Sequence, residues 1–489
     1  MAEFDTVVRG GTVVTADGVR SADVGISGGV VRAVEPGLGH GEEEISAQNR
    51  LVIPGGVDAH THIEQKSSMG LMCADDYHSG TVSAVCGGTT TVLSFAVQGK
   101  GASPREVVAA YHEAAGPKAV SDYGFHLIVA DPTPQALQEE IPELVAQGVV
   151  SFKIYMTYDL VRLDDREFLD VLAAARRMGA LTMVHAENHD MIGWLSGRLV
   201  GEGHKAPKFH AAGHPKLAES EATGRAIDLA ELVDAPLYIV HVSSKEAAEE
   251  IATARRRGLK VFAETCPQYL LLTAEDLDKP GMEGAKFCCS PAPRDEECQE
   301  ALWEGIVDGT FDVVSSDHAP YSFDDKGKLA WGPEPPFPKI CNGVPGVELR
   351  MPLLFSEGVG KARISLQRFV AVCCETPARL FGLYPKKGTI APGSDGDLAI
   401  WNPDQVVDIR WADLHDNVGY SPYEGRQIKG FPETVLRRGE VVVRDGQPRA
   451  KPGSGRFLVR DRPNSAEPLY RPSWSVALAR RFGATDFLK

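Results

Sequence analysis

The sequence predicts an α/β fold: a (β/α)8 TIM-like barrel joined to a small β domain built from both ends of the chain. Three observations carry this reading. Between residues 51 and 317, eight short apolar runs alternate with helix-like stretches, and strands separated by helices of that length imply a parallel sheet. Outside that span, at 4–34 and again at 388–448, alternating valines are broken by Gly-Gly and Asp-Gly, which is the texture of turns between short strands. Finally, polar residues close five different apolar runs. A barrel brings all its strand ends to one rim, whereas an open doubly wound sheet does not.

The elements follow in order. FDTVVRGGTVVT and ADVGISGGVVRAV open the chain as strands. The eight runs are Leu51–Val57, Thr91–Val97, Phe125–Val129, Ser151–Tyr155, Leu181–His185, Leu237–His241, Val261–Glu264 and Phe311–Asp317. PREVVAAYHEAA, PQALQEEIPELVAQG, DREFLDVLAAARRMG and KEAAEEIATARRRG lie between them as helices. The last two end in basic residues and then Gly, which complements the helix dipole and stops the helix. GTIAPGSDGDLAIWNP and TVLRRGEVVVRDGQP return to strands. The expected division is a β domain from 1–53 and 386–450, a barrel over 54–385 and an extended arm over 451–489. The arm is rich in Arg, Pro and Ser with little periodicity, and is expected to pack on a neighbouring subunit.

Composition narrows the function. Apolar content of 43% and charged content of 24% are those of an ordinary globular protein. A net charge of −16 argues against nucleic acid, whose phosphates demand a basic surface. No apolar run approaches the roughly 20 residues of a membrane helix, and MAEFDTVVRGG carries no secretory signal pattern. The nine cysteines are scattered without a CxxC pair, as expected of a reduced, cytoplasmic protein. Cys288–Cys289 and Cys373–Cys374 read as small buried hydrophobes.

Chemistry concentrates at the run ends. His60 and His62 in VIPGGVDAHTH stand two apart, and in a strand residues i and i+2 point the same way, so both imidazoles can face one ion. Zinc takes histidine nitrogen readily. His185 in LTMVH and His241 in LYIVH each end a hydrophobic run. One such histidine alone is more often a core residue; two of them beside an HxH pair point to a metal site. Lys153, inside VVSFKIYM, is costly to bury as a cation. It reads either as a core lysine paired with Asp317, or as a lysine that has added carbon dioxide, a carbamate able to bridge two metals where no Glu appears. Asp317 in SSDHAP suits a metal ligand, an acid–base, or both. His318 is expected to point away from the rim and is assigned no ligand role, while Asp58 is expected to be a turn residue or one that orients an imidazole.

These residues give the chain a resemblance to the cyclic amidohydrolases, most closely the hydantoinase/dihydropyrimidinase branch. PGGVDAHTH, CGGTTTVLSF, SFKIYMTY, VHAEN, VHVSS, CSPAPR, SSDHAP, NGVPGVELR and GSDGDLAIW occur in the family's order, covering about Phe4 to Pro448. The resemblance implies a β-sandwich domain beside the barrel and a pair of divalent ions, usually zinc, bridged by carbamylated Lys153 and a hydroxide. His60, His62 and Asp317 would hold the first ion, and His185 and His241 the second. Tyr158 would help stabilise an oxyanion, and backbone groups at Ser290 and Asn342 would hold the ring amide. Asp317 would shuttle the proton. The implied reaction opens the cyclic amide of a hydantoin or dihydropyrimidine to an N-carbamoyl amino acid. The implied partners are a small substrate and further copies of the chain, as a tetramer or dimer.

Other branches weigh less. Dihydroorotase-like relatives carry Arg two residues after the second His; here Glu64 stands there and would repel an anionic substrate unless neutralised. Allantoinase remains an alternative. Scaffold relatives that have lost catalysis lack several of the six ligand residues, all of which this chain keeps. A mononuclear deaminase would not need Lys153. Glu64–Asp76, Gln98–Ser103 and the residues near Tyr158 are expected to form loops over the pocket, with Met69, Leu71 and Met72 as an apolar wall and Cys341 nearby.

Overall fold

The computed structural model describes residues 2–67 and 69–484; the last five residues of the expected C-terminal arm lie outside them. The N-terminal strands are β1 (Phe4–Val14), β2 (Val19–Ser27), β3 (Val30–Glu35), β4 (Gly41–Ser46) and β5 (Leu51–Pro54). Eight more strands follow: β6 (Gly56–Thr61), β7 (Thr89–Val97), β8 (Asp122–Ile128), β9 (Ser151–Tyr155), β10 (Leu181–His185), β11 (Leu237–Ile239), β12 (Val261–Thr265) and β13 (Val313–Val314). Near the C-terminus come β14 (Leu398–Asp408), β15 (Gln427–Arg437), β16 (Glu440–Arg444) and β17 (Gln447–Pro448).

Strands β6 to β13 form one parallel sheet in sequence order. The sheet curls back on itself: Thr61 bridges His318 in parallel, His62 N donates to His318 O at 2.7 Å, and Ser316 Oγ donates to His60 O at 3.2 Å. Helices follow the strands as the sequence predicts. The helix Asp165–Met178 starts on an Asp164–Glu167 capping box and stops at Gly179, whose φ of 68° is left-handed.

Both termini build the second sheet, in the order β17-β16-β15-β14-β5-β1-β2-β3 with β4 paired to β1. Its inner faces close on one apolar core, including Val8, Val24, Ile53's neighbour Val52, Leu398, Ile400 and Leu436. The sequence read Leu51–Val57 as a single barrel strand. It is two: β5 pairs with β14 in the terminal sheet and β6 with β7 in the barrel. The break falls at Gly55, where a Cβ would lie 2.2 Å from Thr90 Oγ1. Only a glycine lets the chain pass from one sheet to the other this close to β7.

The first part of the arm packs on its own barrel. Tyr123 N donates to Arg456 O at 2.9 Å and Leu458 N to Tyr123 O at 2.8 Å. Arg460 is buried against the strand starts, donating to Gly148 O at 3.2 Å, to Ser151 Oγ at 2.9 Å and to Phe125 O. It seals the end of the barrel opposite the rim. No helix among the described residues is long and apolar enough to cross a membrane.

Candidate metal centre

All six sequence-predicted ligand residues lie at the C-terminal rim of the barrel. His60 and His62 come from the end of β6, Lys153 from β9 and His185 from β10; His241 and Asp317 stand just beyond β11 and β13. The last two explain why their strands are shorter than the apolar runs suggest. His241 has φ 40° and Asp317 φ 48°, a backbone region costly for a side-chain-bearing residue. Turning their side chains inward takes the backbone off the ladder. Tyr158, with φ 71°, and Glu64, with φ 50°, share this feature.

Asp317 Oδ1 lies 3.1 Å from His60 Nε2 and 3.2 Å from His62 Nε2. His185 Nδ1 lies 2.9 Å from His241 Nε2. The two groups adjoin: donor atoms of His60, His241 and Asp317 fall within 4.8 Å of one another. Lys153 Nζ is buried among them without a hydrogen-bond partner, 5.1 Å from the Tyr155 ring and 5.3 Å from that of Phe95. It is not paired with Asp317. Burial, outweighing the pull of Glu264 and Asp317, brings its pKa down to about 7, so a neutral, nucleophilic amine is accessible near neutrality.

The outer nitrogens of three imidazoles are held by acceptors. Glu264 takes His60 Nδ1, Gln65 Oε1 lies 2.9 Å from His62 Nδ1, and Glu187 Oε2 lies 2.8 Å from His185 Nε2. A proton fixed on the outer nitrogen leaves the inner one with its lone pair, the arrangement that orients metal-binding histidines. His241 Nδ1 has no partner. Burial opposes charge on Asp317, yet His60 and His62 hold its carboxyl well below the usual range. Burial, with His185 and Lys153 nearby, pushes His241 well below the ordinary imidazole value, so it too is a neutral donor. The donor set fits divalent ions.

Sequence reasoning missed Glu264 and Glu187, and its premise that no Glu appears is corrected: both reach the site, but they face the outer nitrogens. Glu264 also accepts from Tyr238 Oη at 2.8 Å. The signal was present, since Glu264 ends the run VFAE and Glu187 follows His185 by two. Of the two roles expected of Asp58, it takes the backbone one: it accepts from His60 N at 3.2 Å and Ser316 N at 3.1 Å. His318 faces Asp75 Oδ2 at 3.0 Å, away from the rim cluster.

A cavity of about 760 Å³ opens above these residues and reaches Tyr158, Ser290, Asn342, Met69, Met72 and Cys341. Asn342 Nδ2 lies 3.4 Å from Tyr158 Oη, and Ser290 Oγ donates to Glu187 Oε2 at 2.5 Å. Burial, with Glu187 close, pushes the Tyr158 phenol up, so it remains a proton donor. The neutralisation the sequence argument left open is present at Glu64: Lys118 Nζ meets it at 2.6 Å and Tyr77 N donates to it at 3.2 Å. Repulsion at Glu64 therefore no longer argues against an anionic ring.

Comparison with known proteins decides the family. Residues 51–442 match the amidohydrolase family. The chain belongs to it. Within it, the chain is 44% identical to the D-hydantoinase of Ralstonia pickettii over 94% of this chain and 99% of that one. It is 45% identical to the D-hydantoinase of Streptomyces coelicolor, covering 93% and 98%. Its fold matches the crystal structure of the dihydropyrimidinase from Brevibacillus agri at a TM-score of 0.91 and 42% identity, covering 94% and 99%. This amidohydrolase is a member of the hydantoinase branch and a cyclic amidohydrolase enzyme. Its fold is that of its structural neighbours, a barrel with a sheet made from both termini.

Proposed function

We propose that this amidohydrolase hydrolyses the ring amide of hydantoins or dihydropyrimidines to N-carbamoyl amino acids, with a D preference at a substituted ring carbon. Relatives at 43–45% identity named for D-hydantoinase activity support the ring and the handedness. The observation that carries the chemistry is the partnerless Lys153 amine between two groups of inward-facing imidazoles.

In this reading His60, His62 and Asp317 would hold one divalent ion and His185 and His241 a second, both zinc, a metal suited to imidazole and carboxylate donors. The neutral Lys153 amine would add to carbon dioxide, its Nζ bonding to carbon and one proton leaving to solvent, and the resulting carbamate would join the donors that hold the ions. When bound, the ions would supply a water acidified toward a pKa of roughly 7 and a polarised carbonyl. Asp317 accepts a proton from the attacking water on its carboxylate and returns it to the leaving ring nitrogen. Tyr158 Oη donates to the oxyanion that develops on the carbonyl oxygen. Backbone groups at Ser290 and Asn342 bind the ring amide. The C–N bond breaks, the hydroxyl stays on carbon and the proton ends on nitrogen.

A division into a terminal β-sandwich domain (1–53 and 386–450), a barrel (54–385) and an arm (451–489) is part of this reading, supported by the two separate sheets. A homo-oligomer, tetramer or dimer, is supported by the helix His189–Gly201, which buries only Ser196 and leaves Trp194 63% exposed, and a cytoplasmic setting by nine cysteines that are all free. A panel of hydantoin, D- and L-5-substituted hydantoins, dihydrouracil, allantoin and dihydroorotate, assayed with zinc or manganese, tests the function. Turnover of hydantoins and dihydrouracil supports it. Turnover confined to dihydroorotate or allantoin refutes it.

A further inference from the structure

Away from the catalytic rim, Cys86, Glu348 and His415 offer donor atoms that all lie within 4.8 Å of one another. They come from three distant segments. Cys86 ends the helix Tyr77–Cys86 on the outside of the barrel, Glu348 stands just ahead of the helix Arg350–Leu354, and His415 lies on the loop joining β14 to β15. The cluster therefore sits where the barrel meets the terminal sheet.

Its internal geometry is directional. Glu348 Oε1 lies 2.9 Å from His415 Nδ1. Its other oxygen accepts from His415 N at 2.9 Å and from Ser83 Oγ at 3.1 Å. A carboxylate on Nδ1 keeps the proton there and leaves Nε2 with a lone pair, as in carboxylate–histidine–zinc triads. That lone pair faces Cys86 Sγ at 3.8 Å. Zinc bonds of roughly 2.0–2.1 Å to nitrogen and 2.3 Å to sulfur, opened to about a tetrahedral angle or slightly more, span this gap. A linear ion would need about 4.3 Å between the two donors on the same bond lengths.

There is also a way in. A cavity of about 360 Å³ opens on Glu348 and His415, and its lining includes Asp408, Asp413, Glu433 and Asp445 against the single guanidinium of Arg410. Asp413 pairs with Arg410 and Glu433 with Arg50, while Asp408 and Asp445 form no ion pair among the described residues. Carboxylates lining a cleft concentrate cations. The His415 side chain is 23% exposed, which leaves room for solvent to complete a coordination shell. Cys86 itself is buried, shielded from competing thiol chemistry.

We propose that Cys86 and His415, with the ring fixed by Glu348, form a third cation site for a borderline-soft divalent ion of the zinc class, separate from the catalytic pair. Binding replaces the thiol proton of Cys86, which leaves to solvent, with a sulfur–metal bond; no redox change is involved. Occupancy would pin the β14–β15 loop to the barrel helix that ends in Cys86.

Cobalt(II) gives the test a signature, because only a thiolate ligand produces a sulfur-to-cobalt charge-transfer band and the catalytic donors include no sulfur. The full-length enzyme, wild type, Cys86→Ser and His415→Gln, is loaded with Co²⁺ and scanned in the near ultraviolet; separate samples loaded with Zn²⁺ are desalted and their zinc per chain measured. The expected result is a band in the wild type that is lost in Cys86→Ser and at least tenfold weaker in His415→Gln at matched cobalt. One zinc fewer per chain is expected in both variants, with hydantoin turnover within twofold of wild type. No band in the wild type, or a band unchanged in folded His415→Gln, overturns the site. Because the band reports sulfur alone, that failure is distinguishable from a missing catalytic pair.

Discussion

On the floor of the cavity the six candidate ligand residues lie in or just beyond barrel strands, and five are buried: Lys153 and His60 fully, His185, His241 and Asp317 nearly so. Along its wall the residues come from loops, and some stand in solvent, with Met72 47% and Leu160 61% exposed. The floor is held by strand pairing beneath it and by acceptors on the outer nitrogens of its imidazoles. The wall is held by fewer bonds, such as the Glu64–Lys118 pair. The difference suits the proposed reading, in which chemistry and selectivity have separate supports: the floor would fix the reaction, and the wall could change without disturbing it.

The largest test strikes the floor. Lys153→Ala removes the amine at the centre of the donor set, and turnover should fall by at least about 10⁴-fold together with metal content, read by elemental analysis and steady-state kinetics. Full activity with two ions bound would end the bridging role. Tyr158→Phe removes a donor without touching a ligand residue. It should lower kcat by about 10²–10³-fold, the usual cost of one oxyanion donor, with metal content unchanged. Glu264→Gln loosens the support beneath His60 and should weaken metal affinity by about 10–100-fold, measured by competition with a chelator.

Two weaker tests address the wall. Met69→Ala with Met72→Ala should shift the preference between aryl-substituted and unsubstituted hydantoin by about 10–200-fold in kcat/KM, while unsubstituted hydantoin turns over almost as before. A collapse on both substrates would show that wall and floor are coupled. The smallest effect concerns Asp416, on the loop whose Asn417 N donates to Asp75 at 2.9 Å. Burial, with Asp75 nearby, raises its pKa to about 6. A carboxyl with a raised folded-state pKa contributes stability that is whole below its unfolded value of 3.8 and is lost as pH rises through about 6. Asp416→Asn should therefore melt about 1–3 °C above wild type at pH 8 and no higher at pH 4, by thermal scans.

The same contrast explains what could be read from sequence. The floor was legible because each candidate ligand stands in or just after an apolar run, and a period-two strand states which side chains point together. SFKIY and LTMVH match β9 and β10 residue for residue. The boundaries of β11 and β13 were not legible, because the left-handed turns at His241 and Asp317 are set by the site and not by local propensity. The split at Gly55 depends on Thr90, 35 residues away, and the Glu64–Lys118 pair joins residues 54 apart in the chain. Such pairings have no periodic trace. Glu264 and Glu187 stood in patterns already recognised, yet their role lies in which nitrogen they touch, a matter of geometry that spacing does not carry.

Arg460 has a consequence for how the molecule is made. Its guanidinium joins β8 and β9, yet it comes 309 residues after Ser151. Translation thus delivers the pin that locks the barrel base long after the strands it joins. β5 likewise waits for β14, so the nascent polypeptide carries an unpaired strand edge throughout synthesis of the barrel. Contacts this distant in sequence form slowly and leave exposed edges open to aggregation. The ribosome-bound chain is therefore the form most exposed to misassembly.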